Sequence, residues 1–164
     1  MKALFFGRFQ PFHNGHLKVI KEIHNEYDYI TIVVCGPNNP DEKNPFTFEE
    51  RKEMIDKALH ETGIHYDVRE IVDVNDDEKW SNEVIKLGMF DTAFSRNSWT
   101  IRCLIKIGAN VKEHDLYGRA KQSGTQIRKN ILEGNEWKEL VPREVYGYIK
   151  SINGEERLKK TFIS

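Results

Sequence analysis

"KALFFGRFQPFHNGHLKVIKEIHNEYDYITIVVCG", residues 2–36, holds the pattern that decides the fold. Its ends, KALFFG (2–7) and YITIVVCG (29–36), are short runs rich in β-branched and aromatic residues, and each closes on a glycine. Such runs suit strands. Between them Leu17, Val19, Ile20 and Ile23 recur at the spacing of one helix face. Strand, helix and strand within about 35 residues is the βαβ unit of a parallel sheet.

The alternation continues along the chain. Residues 37–46, PNNPDEKNPF, read as a loop from their Pro and Asn content. A helix follows from Thr47, where Thr47 and Glu50 match the Thr-x-x-Glu capping box, with Gly63 as a stop. HYDVREIVDV (65–74) reads as a strand, KWSNEVIKLG (79–88) as a short helix, and FDTAFS (90–95) as a strand. SWTIRCLIKIG (98–108) reads as a helix and ANVKEHD (109–115) as an edge strand. SGTQIRKNILEG (123–134) carries a second capping box, Ser123 with Gln126, and ends at Gly134. Pro142 suits the first turn of a last helix running through Ile152. The order predicts an α/β fold, doubly wound around a mainly parallel sheet, over a single domain of residues 1–164. Ligands of such sheets bind beyond the carboxyl ends of the strands.

Composition narrows the class. A charged fraction of 31% beside a hydrophobic fraction of 38% describes a globular chain. A net charge of −1 gives no whole-surface attraction to nucleic acid or to anionic lipid. The two cysteines, Cys35 and Cys103, form no CxxC pattern, which fits a reducing, cytoplasmic setting. No apolar run reaches the roughly 18 residues needed to span a bilayer, so no membrane partner is expected.

Two stretches carry anion chemistry. The first follows the opening strand, where a helix start offers backbone N–H groups and a partial positive charge. There Gly15 permits close approach, His13 and His16 can donate to phosphate oxygens, and Arg8 can fork onto a second anion. The same histidines can instead satisfy turn backbone, or ligate a metal, although no third clustered ligand is evident. The second stretch is QSGTQIRKN (122–130), in which Ser123, Gly124 and Thr125 open a helix and Arg128 lies one turn further in. It also reads as an ordinary capped surface helix. Neither a P-loop nor a Gly-x-Gly-x-x-Gly fingerprint is present.

GRFQPFHNGH (7–16) together with SGTQIR (123–128) resembles the nucleotidylyltransferase superfamily, marked by His-x-Gly-His and a late Ser-Gly-Thr-x-Ile/Val-Arg. Within it the chain resembles the archaeal-type nicotinamide mononucleotide (NMN) adenylyltransferases. NPFTFEER (44–51), Trp80 and INGEERLKK (152–160) extend the likeness over nearly the whole chain. The resemblance implies a Rossmann-like fold and the reaction of ATP with NMN to give NAD and pyrophosphate, with Mg2+ bound to the phosphates. It also implies some activity on nicotinic acid mononucleotide, and a homo-oligomer, often a hexamer. By the same resemblance His16, His13 and Arg128 are the expected catalytic residues. Gly7, Arg8, Phe9, Gly15, Lys43, Asn97, Ser123, Gly124 and Thr125 are expected around ATP, and Trp80, Asp76, Gly36 and Phe46 around NMN. Trp80 and Asp76 have plainer readings as a core anchor and a solvated loop residue. Where relatives carry Ser-Gly-Asn, this chain has Ser95-Arg96-Asn97; an Arg there either points outward or crowds the nucleotide, and a positive φ would strain it. Two other classes stay open: a sibling enzyme acting on FMN, phosphopantetheine or glycerol 3-phosphate, and a nucleotide-binding sensor without catalysis.

Overall fold

The computed structural model describes residues 1–115 and 123–163. Its strands are β1 (Lys2–Gly7), β2 (Tyr29–Gly36), β3 (Tyr66–Val72), β4 (Thr92–Phe94) and β5 (Val111–Lys112). They pair all in parallel, in the order β3-β2-β1-β4-β5. The chain winds outward from β1 through β2 to β3, then returns to lay β4 against the other side of β1. That reversal is the switch point of a doubly wound sheet.

Burial explains why the strands read as they do. Ala3, Leu4 and Phe5 of β1 and Ile30, Ile32, Val33 and Val34 of β2 are buried, as central strands covered on both faces must be. β3, at the sheet edge, alternates more polar residues with Val68 and Ile71.

The helices are α1 (Asn14–His24), α2 (Phe48–Leu59), α3 (Asp77–Ile85), α4 (Ser98–Lys106), α5 (Gly124–Glu133), α6 (Arg143–Ser151) and α7 (Gly154–Ile163), with a 3-10 turn at Lys138–Leu140. Contacts divide the chain into two compact units, each discontinuous in sequence. The first comprises Met1–Arg8, Val19–Asn38 and Ile64–Asp115; the second comprises Phe9–Lys18, Asn39–Gly63 and the described residues from Ser123 onward.

The first unit holds the whole sheet with α3 and α4. Its core joins Phe6, Val33, Trp80, Val84, Cys103 and Leu104. Asp76 caps α3, accepting from Lys79 N–H at 2.9 Å. The Trp99 indole N–H donates to Asp77 at 2.9 Å and fixes α4 to the start of α3.

The second unit is helical. Thr47 and Glu50 form the expected reciprocal capping box at α2. Arg157 of α7 reaches the same Glu50 carboxylate through both guanidinium nitrogens. Ser123 caps α5 by accepting from Gln126 N–H. The second half of that expected box differs: the Gln126 side chain donates forward to Asn130 Oδ1 at 2.8 Å, so the cap is one-sided. Gly134 ends α5 in the left-handed region at φ 73°, a conformation glycine adopts at no steric cost. The chain also runs beyond the helix expected to be its last. After Asn153, at φ 54°, it re-enters a helix as α7.

Two glycines of this unit make opposite demands. A Cβ at Gly154 would lie 2.7 Å from Ile149 Cγ2 and 3.1 Å from the Ile149 carbonyl oxygen. Gly154→Ala is therefore expected to lose about 1–3 kcal/mol through overpacking. Inside α6, a Cβ at Gly147 would meet nothing within 4 Å, and Gly147→Ala is expected to gain about 0.5–1 kcal/mol. Urea unfolding of the two variants checks the pair, and the same sign for both would contradict this packing.

Candidate active site

The loop that leaves β1 is built around buried aromatic rings. Phe9 sits at φ 52°, a left-handed conformation that is unusual for so bulky a residue. Its ring is buried and meets the His16 ring edge-on at 4.7 Å, with Phe12 at 5.9 Å. Gln10, 3% exposed, donates from Nε2 to the Phe46 carbonyl at 3.0 Å, and its Oε1 accepts from Phe46 N–H at 2.9 Å. That pair of hydrogen bonds between side chain and backbone fastens the loop to the segment leading into α2.

His13 and His16 then open α1 as a reciprocal pair. His13 Nδ1 accepts from the backbone N–H of Gly15 at 3.1 Å and of His16 at 3.4 Å. His16 Nδ1 accepts from His13 N–H at 3.1 Å. This is the logic of a capping box written with imidazoles: residue N-cap bonds N3, and N3 bonds back. A neutral imidazole whose Nδ1 accepts must carry its proton on Nε2. Both rings therefore present Nε2–H as their donor, and they stack at 3.6 Å between centroids. Burial pushes the His13 pKa down to about 4, so the ring is neutral at pH 7.

This arrangement corrects one expectation. The amides of Gly15 and His16 at the start of α1 are already bonded to His13, so Gly15 N–H is not an open donor there. The donors this helix start can offer an anion are imidazole N–H groups.

The start of α5 meets the same loop. Arg128 Nη1 donates to the Gln10 carbonyl oxygen at 2.7 Å, and Nη2 lies 3.5 Å from Thr125 Oγ1. A Cβ at Gly124 would fall 2.9 Å from that carbonyl oxygen and 3.1 Å from Arg128 Nη1, so only glycine fits the approach. Burial works against the Arg128 charge and lowers its pKa, with Asp41 opposing from a distance. Both partners named for the guanidinium are uncharged oxygens. The Phe9–Gln10 stretch thus meets both groups: the Phe9 ring touches His16, on which His13 stacks, and the Gln10 carbonyl touches Arg128 beside Gly124. Lys43, also in this unit, is exposed on a turn whose backbone N–H donates to Asp41.

In the first unit the remaining expected residues follow the carboxyl ends of the strands. Gly7 ends β1 opposite Val34, and Gly36 ends β2 opposite Val72. Arg8 pairs with Asp73 at 2.7 Å. Asn97 caps α4, its Oδ1 accepting from Thr100 N–H at 2.9 Å. Asp76 caps α3, as described above, so it is not a bare loop carboxylate.

Two aromatic expectations change. Trp80 is 1% exposed, packed against Phe6 at 5.7 Å and Trp99 at 5.1 Å. Its faces belong to the core, so the indole is an anchor here and not an open stacking surface. The Phe46 ring is likewise 1% exposed; what Phe46 contributes is its backbone, clamped by Gln10. Arg96 takes the outward course. Its φ is not positive, Nη1 donates to the His114 carbonyl at 2.5 Å, and Glu113 pairs with it at 3.7 Å. Gln10 itself was not among the expected residues, because its partners lie at Phe46 and Arg128, far along the chain.

Residues 4–130 match the family model described as cytidylyltransferase-like. A nicotinamide-nucleotide adenylyltransferase of Methanococcus aeolicus is 41% identical over 162 residues, covering 98% of this chain and 94% of that protein. One of Methanolobus tindarius is 38% identical over 160 residues, covering 96% and 92%. Among solved structures, a bifunctional NMN adenylyltransferase/ADP ribose pyrophosphatase of Francisella tularensis, complexed with AMP and a manganese ion, superposes with a TM-score of 0.82 at 25% identity. That alignment covers 98% of this chain and 51% of the other, so the chain spans about half the length of the bifunctional protein. A match that begins in β1 and runs through the helix bearing Arg128 takes in both the histidine pair and Arg128, and by it this chain belongs to the cytidylyltransferase-like family.

Proposed function

We propose that this chain is a nicotinamide-nucleotide adenylyltransferase, acting in NAD biosynthesis as a single nucleotidylyltransferase domain. The observation that carries the reading is the set itself: two imidazoles whose Nδ1 atoms accept from backbone, leaving Nε2–H as donor, and a part-buried guanidinium resting on the carbonyl of the same loop. Such a set is matched to polyphosphate. The relatives named above direct the choice of substrates to ATP and NMN.

In this reading an oxygen of the NMN phosphate attacks the α-phosphorus of ATP. A new phosphorus–oxygen bond forms, the bond from the α-phosphorus to the bridging oxygen breaks, and pyrophosphate leaves with that electron pair. No covalent enzyme intermediate is required, so positioning and charge stabilisation supply the acceleration. His16 donates from Nε2 to the α-phosphate, where negative charge builds, and His13 donates to the adjoining phosphates. Arg128, with the Gly124 and Thr125 amides left open by the Ser123 cap, holds the departing β- and γ-phosphates, and Lys43 adds charge. Gly7, Arg8, Gly36, Asp76 and Asn97 remain assigned to nucleotide contacts by the rule that open α/β sheets bind at their strand ends. Arg8 would exchange Asp73 for a phosphate.

Among the described residues no group of three or more His, Cys, Asp or Glu is placed to hold a metal ion. We assign magnesium to the phosphate oxygens of ATP, as part of the substrate, because Mg2+ is commonly bound through substrate phosphates and water. Among the described residues no helix is long and apolar enough to cross a membrane. The partners in this reading are small molecules and further copies of the chain, in the cytoplasm.

Incubation with MgATP and NMN should yield NAD and pyrophosphate in equal amounts. Turnover with CTP and another phosphate acceptor, and none with NMN, would assign the chain to a sibling reaction. NAD binding without any turnover would make it a sensor.

His16→Asn isolates the proposed donor, because the Asn oxygen can replace Nδ1 in the cap while Nε2–H is lost. Its kcat should fall by about 10²–10³-fold, as for removal of one oxyanion donor, with KM for ATP and the melting temperature little changed. A wild-type kcat would remove His16 from the reaction.

His13 sets an acid limit on stability. Its imidazole takes a proton near the ordinary 6.5 when unfolded and near 4 when folded. Between those values the unfolded chain binds more protons, so stability falls as pH drops, by at most about 3 kcal/mol. Urea unfolding from pH 7 to pH 4 should show this loss in the wild type. It should be smaller in His13→Asn, which keeps an acceptor that does not titrate; parallel pH profiles would refute the assignment.

A further inference from the structure

We infer that Gln10 is a positioning residue for catalysis, acting through Arg128. The inference rests on the nucleotidylyl-transfer reading above, and it concerns a side chain that reading leaves without a role.

Gln10 meets two separate needs at one place. Its side chain is 3% exposed, and both of its polar atoms are bonded to the backbone of Phe46, which is itself buried. The amide thus pairs with residue 46 as a neighbouring strand would, one bond given and one received. Its main-chain carbonyl, a few bonds away, receives Arg128 Nη1 at 2.7 Å. The same carbonyl is the atom that leaves no room for a Cβ at Gly124. Position 10 therefore sets both the direction of the guanidinium and the approach of the α5 start.

The segment needs such a clamp. Phe9 holds a left-handed backbone with a bulky side chain, a conformation that persists only where its surroundings over-determine it. One flank is fixed by the His13–His16 pair in α1. The other is fixed by Gln10 on Phe46, and Phe46 directly precedes the Thr47–Glu50 box that Arg157 braces. Without the Gln10 amide, the buried Phe46 N–H and carbonyl lose their partners, and the Gln10 carbonyl loses its fixed place under Arg128.

A residue of exposed loops would not be chosen for this task. Glutamine has the reach to present an acceptor and a donor together without carrying a charge. Neither charged analogue can do both: glutamate cannot donate while ionised, and lysine cannot accept.

The test is a double-mutant cycle on turnover with MgATP and NMN. Arg128→Ala, Gln10→Met and the double variant are compared with wild type, each with its melting temperature. Arg128→Ala should lose at least about 10²-fold in kcat/KM for ATP. Gln10→Met should lose about 10-fold or more in the wild-type background and under 3-fold in the Arg128→Ala background, because its effect passes through a guanidinium already absent. KM for NMN should move less than the ATP parameters. If Gln10→Met does not fold, Gln10→Glu is used, which keeps size and the acceptor and loses only the donor. Equal losses in both backgrounds would overturn the inference while leaving the function standing. Wild-type turnover in Arg128→Ala would overturn the reading of the site, and the inference with it.

Discussion

One hydrogen bond, from Arg128 Nη1 to the carbonyl oxygen of Gln10, joins residues 118 positions apart, and the candidate site depends on it. It brings the start of α5 onto the loop that leaves β1, and it does so with an uncharged acceptor. The contrast with other arginines is instructive. Arg157 has its charge matched by Glu50, and Arg8 by Asp73. A guanidinium resting on a carbonyl sits in a part-buried place where burial disfavours its charge and Asp41 supports it only from a distance. In the function proposed above, a bound phosphate would relieve that penalty.

The histidines follow the same economy of atoms. Each Nδ1 is committed to a backbone N–H, which is the turn reading of these histidines, and that bond leaves the other nitrogen of each ring as the donor for the proposed anion. Committing Nδ1 fixes the tautomer, and fixing the tautomer points a proton along Nε2. Helix starts usually bind anions through the backbone. In the proposed function α1 passes that task to side chains, and burial keeps the His13 ring neutral by lowering its pKa. At α5 the cap is a side chain's instead, Ser123 accepting from Gln126 N–H, and glycine at 124 allows the helix start to approach the Gln10 carbonyl.

What was legible in the sequence was local. The periodicity of residues 2–36 gave β1, α1 and β2, and the Thr47–Glu50 box gave the start of α2, because both patterns are complete within a few turns of chain. The parallel, doubly wound sheet followed from the order of elements. The motifs around His13, His16 and Arg128 marked side chains that meet the Phe9–Gln10 stretch, through the Phe9 ring and the Gln10 carbonyl. What was not legible was decided across elements. Trp80 is buried by Phe6 and Trp99, from β1 and α4, and no spacing around residue 80 reports that. Gln126 prefers Asn130 to its own cap, one turn ahead on the same face. The re-entry into α7 turns on Asn153 adopting a left-handed backbone, which asparagine tolerates without announcing.

Arg96 shows how a departure from a family pattern is absorbed. A glycine position filled by arginine raises two physical risks: backbone strain, if φ must be positive, and crowding by a long cation. The first is absent, because the backbone at 96 stays in the ordinary region. The cation is held by the segment that follows β5, where the His114 carbonyl accepts from Nη1 and Glu113 supplies the opposite charge. His114 is itself held edge-on against Phe5 of β1 at 5.3 Å. The guanidinium therefore stitches the β4–α4 loop to the end of β5, next to the central strand. The substitution adds a bond to the sheet end where glycine would have supplied only freedom, and Asn97, one residue on, keeps its place as the cap of α4.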